Sequence, residues 1–120
     1  MIGIDTNILL RLWLKNKRID TLLAASLLVT DVVLAEAVWT LKSAFEQDQH
    51  AQSLAVRSLL EDTAFAFEDR EAVTAALPLF EAGSCGFADG LVVAKHARPG
   101  CDFTATVDRV MRKLPGVKVL

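Results

Sequence analysis

The sequence has few residues of the kinds that build zinc sites, redox motifs or disulfide frameworks. It contains only two cysteines, Cys85 and Cys101, and two histidines, His50 and His96, among 120 residues. None of them lies at the spacing of a zinc site, and the cysteines form no redox motif. The two cysteines could in principle pair, but we expect two reduced, partly buried thiols in a cytoplasmic protein. We interpret both histidines as surface or packing residues.

Long apolar runs and an excess of basic charge are also absent. No run reaches the roughly 18 residues of a membrane span, and the start has no basic segment followed by an apolar core. We therefore expect no transmembrane helix and no signal peptide. The net charge of −2 argues mildly against a protein that coats nucleic acid, since such proteins are basic overall. It is compatible with a nuclease, because clustered carboxylates lower the net charge and a bound divalent ion offsets them locally.

Basic side chains are nevertheless grouped near both ends of the chain. The early group is Arg11, Lys15, Lys17 and Arg18, and the late group is Arg109, Arg112, Lys113 and Lys118. Either group could be a solvated face or could contact phosphate, and the sequence leaves both interpretations open.

The length and apolar content of the chain predict one compact domain. A chain of 120 residues is enough for one domain and too short for two. Its hydrophobic content of 52% is above the usual share of a soluble domain, so spare apolar surface could serve a partner. No repeat, linker or low-complexity segment divides residues 1–120.

Short apolar segments alternate with segments of helical periodicity along the chain. Strands are predicted at 1–4, 27–29, 64–67, 102–105 and 117–120, and helices at 6–14, 32–45, 48–61, 71–81, 87–97 and 107–114. Residues 21–28 are ambiguous, and we expect a short helix that passes into the second strand. Short strands that are apolar on both faces and alternate with helices are typical of a parallel sheet covered by helices. The predicted fold is therefore α/β, a three-layer α/β/α sandwich.

Four of the fifteen acidic residues stand in apolar sequence surroundings. They are Asp5, Glu36, Asp89 and Asp108. Glu36 is the only polar residue in the segment 32–39. Because burial of an unpaired charge costs several kcal/mol, we expect a hard divalent cation to neutralise these carboxylates. Magnesium and manganese take oxygen ligands of this kind, together with water.

The predicted elements bring the four acids to one edge of the sheet. Asp5 falls at the carboxyl end of the first strand and Asp108 just after the fourth, while Glu36 and Asp89 lie near the starts of long helices. In an open parallel sheet these positions face the edge where ligands bind. Helix N-termini also favour anions, which helps to place phosphate nearby.

Each of these carboxylates also has a purely structural alternative. Asp5 and Asp108 could cap the helices that follow them, and Asp89 could complement the dipole of its own helix. Glu36 lies too far inside its helix to be a cap, but its side chain could extend to solvent or form an ion pair with Lys42 or Arg11. The four acids together are more persuasive than any one of them.

The segments around the four acids resemble the motifs of a known family, the PIN domains, and especially the VapC-type toxins of bacterial toxin–antitoxin pairs. The opening IGIDTNILLR resembles the start of that family, and DVVLAEAVWTL its second motif. FADGLVVA resembles the third motif, and CDFTATVDR with the later LPGV resembles the C-terminal signature. The segment between Leu14 and Thr30 is short for the family, and Gly86 and Gly90 replace residues more usual there.

The resemblance implies a function that the composition does not. It implies a Rossmann-like α/β/α fold and magnesium- or manganese-dependent cleavage of RNA, commonly transfer RNA, with Asp5, Glu36, Asp89 and Asp108 as catalytic and metal-binding residues. It also implies a small antitoxin partner that blocks the site, and often a homodimer. In this hypothesis a metal-activated water attacks the phosphorus of the RNA backbone.

Polar residues next to the acids could assist them. Thr6, Asn7 and Thr106 could orient metal-bound water or phosphate oxygens, and turn or cap chemistry is the alternative. We find no nucleophile–histidine pair that would support covalent catalysis.

Other functions fit the sequence less well. A phosphatase of the haloacid-dehalogenase type needs a second aspartate two residues after Asp5, where Asn7 stands. A receiver domain needs paired acids at the first strand, and a nucleotide-binding enzyme needs a Gly-rich phosphate loop; the sequence has neither. A PIN-like module that binds RNA or an antitoxin without turnover is the non-enzymatic alternative.

Overall fold

The computed structural model describes residues 1–15, 25–83 and 85–120, with the side chain of Lys15 left out. Residues 21–24 of the ambiguous segment, and much of the shortened region between Leu14 and Thr30, lie outside the described residues. The chain divides into two compact units, Met1–Arg70 and Glu71–Leu120. Each unit contains parallel strands joined through helices, so the predicted α/β fold with parallel strands is confirmed.

The described residues of the first unit form a parallel ladder and three helices. Its elements are β1 (Ile2–Gly3), α1 (Thr6–Lys15), β2 (Leu27–Val29), α2 (Asp31–Ser43), α3 (Gln49–Glu61) and β3 (Phe65–Phe67). The strand order is β1–β2–β3, with Ile2 opposite Leu27 and Leu28 opposite Ala66. Because all three strands are parallel, their carboxyl ends lie at one edge of the ladder.

Helices α2 and α3 form where the sequence combines a cap with helical spacing of apolar residues. Thr30 caps α2, and Asp48 caps α3 by accepting a hydrogen bond from the backbone N–H of Ala51 at 2.8 Å. The residues of α2 at positions 34, 37, 38 and 41 are all buried, which is the i, i+3, i+4, i+7 pattern of a helix face. Helix α2 packs on both α1 and α3.

The described residues of the second unit form two α-helices, a 3₁₀ helix and a second, two-stranded parallel ladder. Its elements are α4 (Arg70–Glu81), α5 (Phe87–Ala97), β4 (Thr104–Thr106), a 3₁₀ helix (Arg109–Lys113) and β5 (Val117–Val119). Thr104 lies opposite Val117 in the β4–β5 ladder. Buried Cys85, Val93, Met111 and Leu114 form one apolar cluster that fixes the 3₁₀ helix against α5.

Gly90 is the point of closest approach between α4 and α5. A Cβ atom placed on Gly90 would lie 3.1 Å from the carbonyl oxygen of Ala76 and 3.5 Å from Cβ of Leu79. The first of these distances is shorter than a comfortable carbon–oxygen contact, so the glycine permits this helix pair to pack closely.

Two local predictions are wrong. The first strand was expected to be buried, but Ile2 and Gly3 are exposed and only Ile4, at 6% exposure, is buried. In the described part of the chain β1 pairs only with β2, so one side of it has no strand neighbour. The segment 107–114 was expected to form an ordinary short helix, and it forms a 3₁₀ helix over Arg109–Lys113.

Candidate active site

Asp5 lies at the carboxyl edge of the first ladder and caps α1. The backbone N–H of Ile4 donates to the carbonyl oxygen of Leu28 at 3.1 Å, so Asp5 follows directly after the strand pairing ends. Its Oδ1 atom accepts a hydrogen bond from the N–H of Ile8 at 3.0 Å. The structural alternative for Asp5, that it caps the following helix, is therefore confirmed. It uses one carboxylate oxygen of an exposed side chain, which leaves Oδ2 available to a further ligand.

Glu36 is exposed, as are Asp5 and Asp108, and the expectation that these three acids are buried charges is wrong. The apolar residues around it in sequence divide between two faces of α2, because a helix turns by about 100° per residue. Leu34 and Ala37 are fully buried, whereas Val32 and Trp39 are 75% and 66% exposed, on the same side as Glu36. Because an exposed carboxylate is solvated, burial gives no argument for a metal at Glu36.

Asp5 follows β1, and Glu36 lies on α2, the helix that follows β2. β1 and β2 are adjacent parallel strands, and Asp5 and Thr30 are the positions where the chain leaves them. Glu36 is six residues beyond Thr30, which is about 9 Å along α2 at 1.5 Å per residue. Within the described side chains neither acid forms an ion pair, so the suggested pairing of Glu36 with Lys42 is not observed.

Asp89 is the third residue of α5 and is half-buried. The helix begins after Gly86, which supplies no side chain to cap it. A Cβ atom on Gly86 would lie 3.9 Å from Oδ2 of Asp89, so the carboxylate lies back over the first turn. A negative charge in that position stabilises the helix dipole, which is the structural role anticipated for Asp89.

The charge of Asp89 also acts on the neighbouring thiol. Burial raises the pKa of Cys85, and the negative charge of Asp89 raises this pKa further, while a hydrogen bond with the backbone of Gly90 lowers it. Cys85 therefore stays a neutral thiol at physiological pH. Cys85 is a buried packing residue, as expected, whereas Cys101 is exposed, so the expectation of partial burial is wrong for Cys101.

Asp108 follows β4 and caps the 3₁₀ helix. Its Oδ1 atom accepts a hydrogen bond from the N–H of Val110 at 2.9 Å. Its own backbone N–H donates to the hydroxyl of Thr106 at 3.0 Å. Asp108 is exposed, so its second carboxylate oxygen is free to bind a ligand. The hydroxyl of Thr106 is used in the turn, so in this structure it positions the backbone of Asp108.

Comparison with known proteins identifies the family of the chain. A model of the PIN domain matches residues 2–117, almost the whole sequence. The chain belongs to the PIN-domain family. No curated protein and no solved structure matches it significantly. PIN domains are generally nucleases, so the resemblance seen in the four motifs is confirmed at the level of the family.

The structure of this PIN domain shows which donors each unit offers. The first unit contains Asp5 and Glu36, and the second contains Asp89 and Asp108. Over the described ranges the side chains show no group of three or more His, Cys, Asp or Glu arranged to hold a metal ion. The donors themselves fit magnesium or manganese, because all four are carboxylates and none is neutralised by an ion pair with a described residue.

One acidic residue at the same edge of the PIN domain was not singled out from the sequence. Glu68 directly follows β3, as Asp5 follows the extended segment of β1. Its Oε1 atom accepts a hydrogen bond from the N–H of Asp31 at 2.9 Å, which ties the end of β3 to the start of α2. The signal that could have found it is the apolar segment FAF immediately before an acid.

The helices of the described part of this PIN domain include none that is long and apolar enough to cross a membrane.

Proposed function

We propose that this PIN domain is a magnesium- or manganese-dependent endoribonuclease, and that Asp5, Glu36, Asp89 and Asp108 share its metal centre. The observation that supports this most is that all four acids fall within the segment matched by the family and keep a carboxylate oxygen without a described protein partner. The proposal requires residues 1–120 to act as a single PIN domain. The burial of charge, by contrast, does not contribute to the argument.

The side chains of the chain would have distinct tasks in this reaction. The cap bond to Ile8 fixes the rotamer of Asp5 and directs one oxygen away from α1. The cap bond to Val110 does the same for Asp108. Glu36 stands on a 13-residue helix that is packed on two sides, so its Cα position is rigid although its side chain is exposed. Ligands on such elements need little reorganisation when an ion binds.

A bound magnesium or manganese ion would lower the pKa of a water molecule and offset charge on the phosphoryl oxygens. Thr6 and Asn7 are the polar neighbours that we propose to orient water or phosphate oxygens beside Asp5. Thr6 is half-buried and Asn7 is exposed. Thr106 contributes through the backbone of Asp108.

We propose further that the protein is the toxin of a toxin–antitoxin pair of the VapC type, with structured RNA such as transfer RNA as substrate, and that it is cytoplasmic. A small antitoxin would cover the site, and two copies would form a homodimer. Large apolar side chains on the outer surfaces of α2 and α3 support a protein partner, since Val32, Trp39 and Leu54 are each more than half exposed. Light scattering of the purified chain tests the dimer, and a neighbouring gene for a small DNA-binding protein tests the pair.

The alternative is a PIN-like module that binds RNA or an antitoxin without turnover. Retention of all four acids argues against it, because a site that has lost its activity usually loses one of its ligands. The nuclease and the binding module differ in one observable, which is cleavage of RNA.

The test is cleavage of total cellular RNA by purified protein with manganese or magnesium, compared with EDTA. The variants are Asp5→Asn, Glu36→Gln, Asp89→Asn and Asp108→Asn. The matched control is Asp48→Asn, which alters an N-cap aspartate of α3 outside the proposed centre. We expect metal-dependent cleavage that falls on the order of 100-fold in each of the four variants and is unchanged in the control. Cleavage by Asp5→Asn at the wild-type rate would contradict the proposal.

A further inference from the structure

Positive charge is concentrated in the last part of the chain. From Phe103 to Leu120 there are four basic residues and a single acid, Asp108, although the whole chain has a net charge of −2. Three of these cations, Arg109, Arg112 and Lys113, lie in the 3₁₀ helix that Asp108 caps. Cationic side chains therefore follow directly after a proposed metal ligand.

The geometry of the 3₁₀ helix directs these cations outward. Residues three apart lie on the same side of such a helix. Met111 and Leu114 form the inner row and are buried in the apolar cluster with Cys85. Arg109 and Arg112 form a second row. Both are exposed, and so is Lys113.

The three cations have no ionic partner in the described part of the chain, and we call them the cationic strip. Two other basic residues of the same unit are engaged. Arg98 contacts Glu71 at 3.4 Å, and the ammonium group of Lys118 lies 5.2 Å from the ring centre of Phe103. The three residues of the cationic strip make no comparable contact with a described residue. Mutual repulsion of three adjacent cations is unfavourable, so an anionic ligand would relieve it.

The cap bond of Asp108 fixes where such a ligand would lie relative to the proposed chemistry. Asp108 and Arg109 are consecutive, and the hydrogen bond from Val110 to Asp108 holds the first turn in place. Met111 and Leu114 anchor the other end of the segment. A polyanion bound along the strip would therefore be held in a fixed register beside Asp108.

We propose that Arg109, Arg112 and Lys113 bind the phosphates of the RNA backbone and position the RNA at Asp108. This rests on the proposed nuclease function. Phosphates spaced along a strand match a row of cations, and guanidinium groups bind phosphate oxygens in pairs. The three residues are positioning residues, because they contact the substrate backbone away from the reacting bond.

The test is equilibrium binding of a fluorescein-labelled single-stranded oligoribonucleotide, measured by anisotropy in EDTA over a series of salt concentrations. EDTA prevents metal-dependent cleavage, so the RNA stays intact while its binding is measured. The variant is Arg109→Gln with Arg112→Gln. The matched control is Arg57→Gln with Lys42→Gln, which removes the same charge from exposed positions of the first unit. Circular dichroism confirms that each variant is folded.

Each phosphate contact contributes about 0.7 to the slope of log affinity against log salt for single strands. We expect the slope of the Arg109→Gln/Arg112→Gln variant to fall by about 1.4, and its affinity at 0.1 M salt to fall on the order of 20-fold. The addition of Lys113→Gln should lower the slope by about a further 0.7. The control should change both quantities much less.

Equal losses in the variant and the control would overturn the proposal, because they would reflect net charge alone. The proposal would also be overturned if the wild-type chain bound no RNA. It would likewise be overturned if polyglutamate displaced the labelled RNA at a lower concentration than unlabelled RNA does, which would indicate an acidic protein partner. The two proposals can fail separately. If the Arg109→Gln/Arg112→Gln variant binds RNA normally, the cationic strip is not the RNA-binding site, even if the protein cleaves RNA. If the variants show the expected salt slopes but the wild-type protein never cleaves RNA, only the proposed nuclease function is disproved.

Discussion

The cap bond of Asp5 allows its structural contribution to be separated from its proposed catalytic role. Asp5→Ala removes the acceptor of the 3.0 Å hydrogen bond from Ile8 and leaves the first turn of α1 uncapped. Asp5→Asn keeps an oxygen in the same place and loses only the negative charge at the helix N-terminus. Both variants lose a carboxylate, so both should lose metal-dependent cleavage.

The two variants should differ in stability. Loss of an N-cap costs about 1 kcal/mol, and because Asp5 is exposed no cavity adds to this. The loss of charge against the helix dipole costs about 0.3–1 kcal/mol, and only this smaller amount applies to Asp5→Asn. We therefore expect Asp5→Ala to be about 1–2 kcal/mol less stable than wild type, with a Tm lower by about 4–8 °C.

Urea unfolding followed by circular dichroism measures the free energy of unfolding of wild type and of both variants. The m-value should stay the same, because no buried surface changes. If Asp5→Asn is as unstable as Asp5→Ala, or if Asp5→Ala is as stable as wild type, the cap assigned to Asp5 contributes nothing and the reasoning is refuted.

Three further predictions concern packing and thiol reactivity. Gly90→Ala should destabilise the protein by about 1 kcal/mol, because the new Cβ would lie 3.1 Å from the carbonyl oxygen of Ala76 and this contact outweighs the gain in helix propensity. If urea unfolding shows the variant to be more stable than wild type, α4 and α5 move apart easily and this prediction is wrong. Leu34→Ala should cost about 2–5 kcal/mol, since Leu34 is completely buried, and a cost below 1 kcal/mol in the same assay would argue against the packing of α2. Iodoacetamide at pH 7.5 should label exposed Cys101 much faster than buried Cys85, because burial and the charge of Asp89 raise the pKa of Cys85. Peptide mass spectrometry measures the labelling of each cysteine, and equal labelling would contradict this prediction.

Helical elements could be predicted closely because their signals are local. The predicted helix 87–97 has the bounds that the structure shows, and the predicted helix 32–45 forms as Asp31–Ser43. In both, apolar residues recur at helical spacing. The strands were located but less well delimited, since β1 and β4 are each shorter than predicted. Three-residue strands carry too little periodicity to fix their ends.

The environment of the candidate site could not be predicted in the same way. Glu36 has apolar neighbours in sequence, and those neighbours lie on different faces of α2, so local apolarity does not give burial. Asp5 and Asp108 were correctly recognised as possible caps, because an acid that precedes a helix is a local signal. The 3₁₀ helix, by contrast, depends on burial of Met111 and Leu114 three residues apart, which an α-helical pattern also allows.

Manganese binding tests our proposal that carboxylates from both parts of the sequence serve one metal centre. Free manganese is measured by electron paramagnetic resonance as the ion is titrated into wild type, Glu36→Gln, Asp89→Asn and the control Asp48→Asn. We expect a manganese site whose affinity falls at least about tenfold in both Glu36→Gln and Asp89→Asn and is unchanged in the control. If either variant binds manganese as tightly as wild type, the two acids do not share a metal centre.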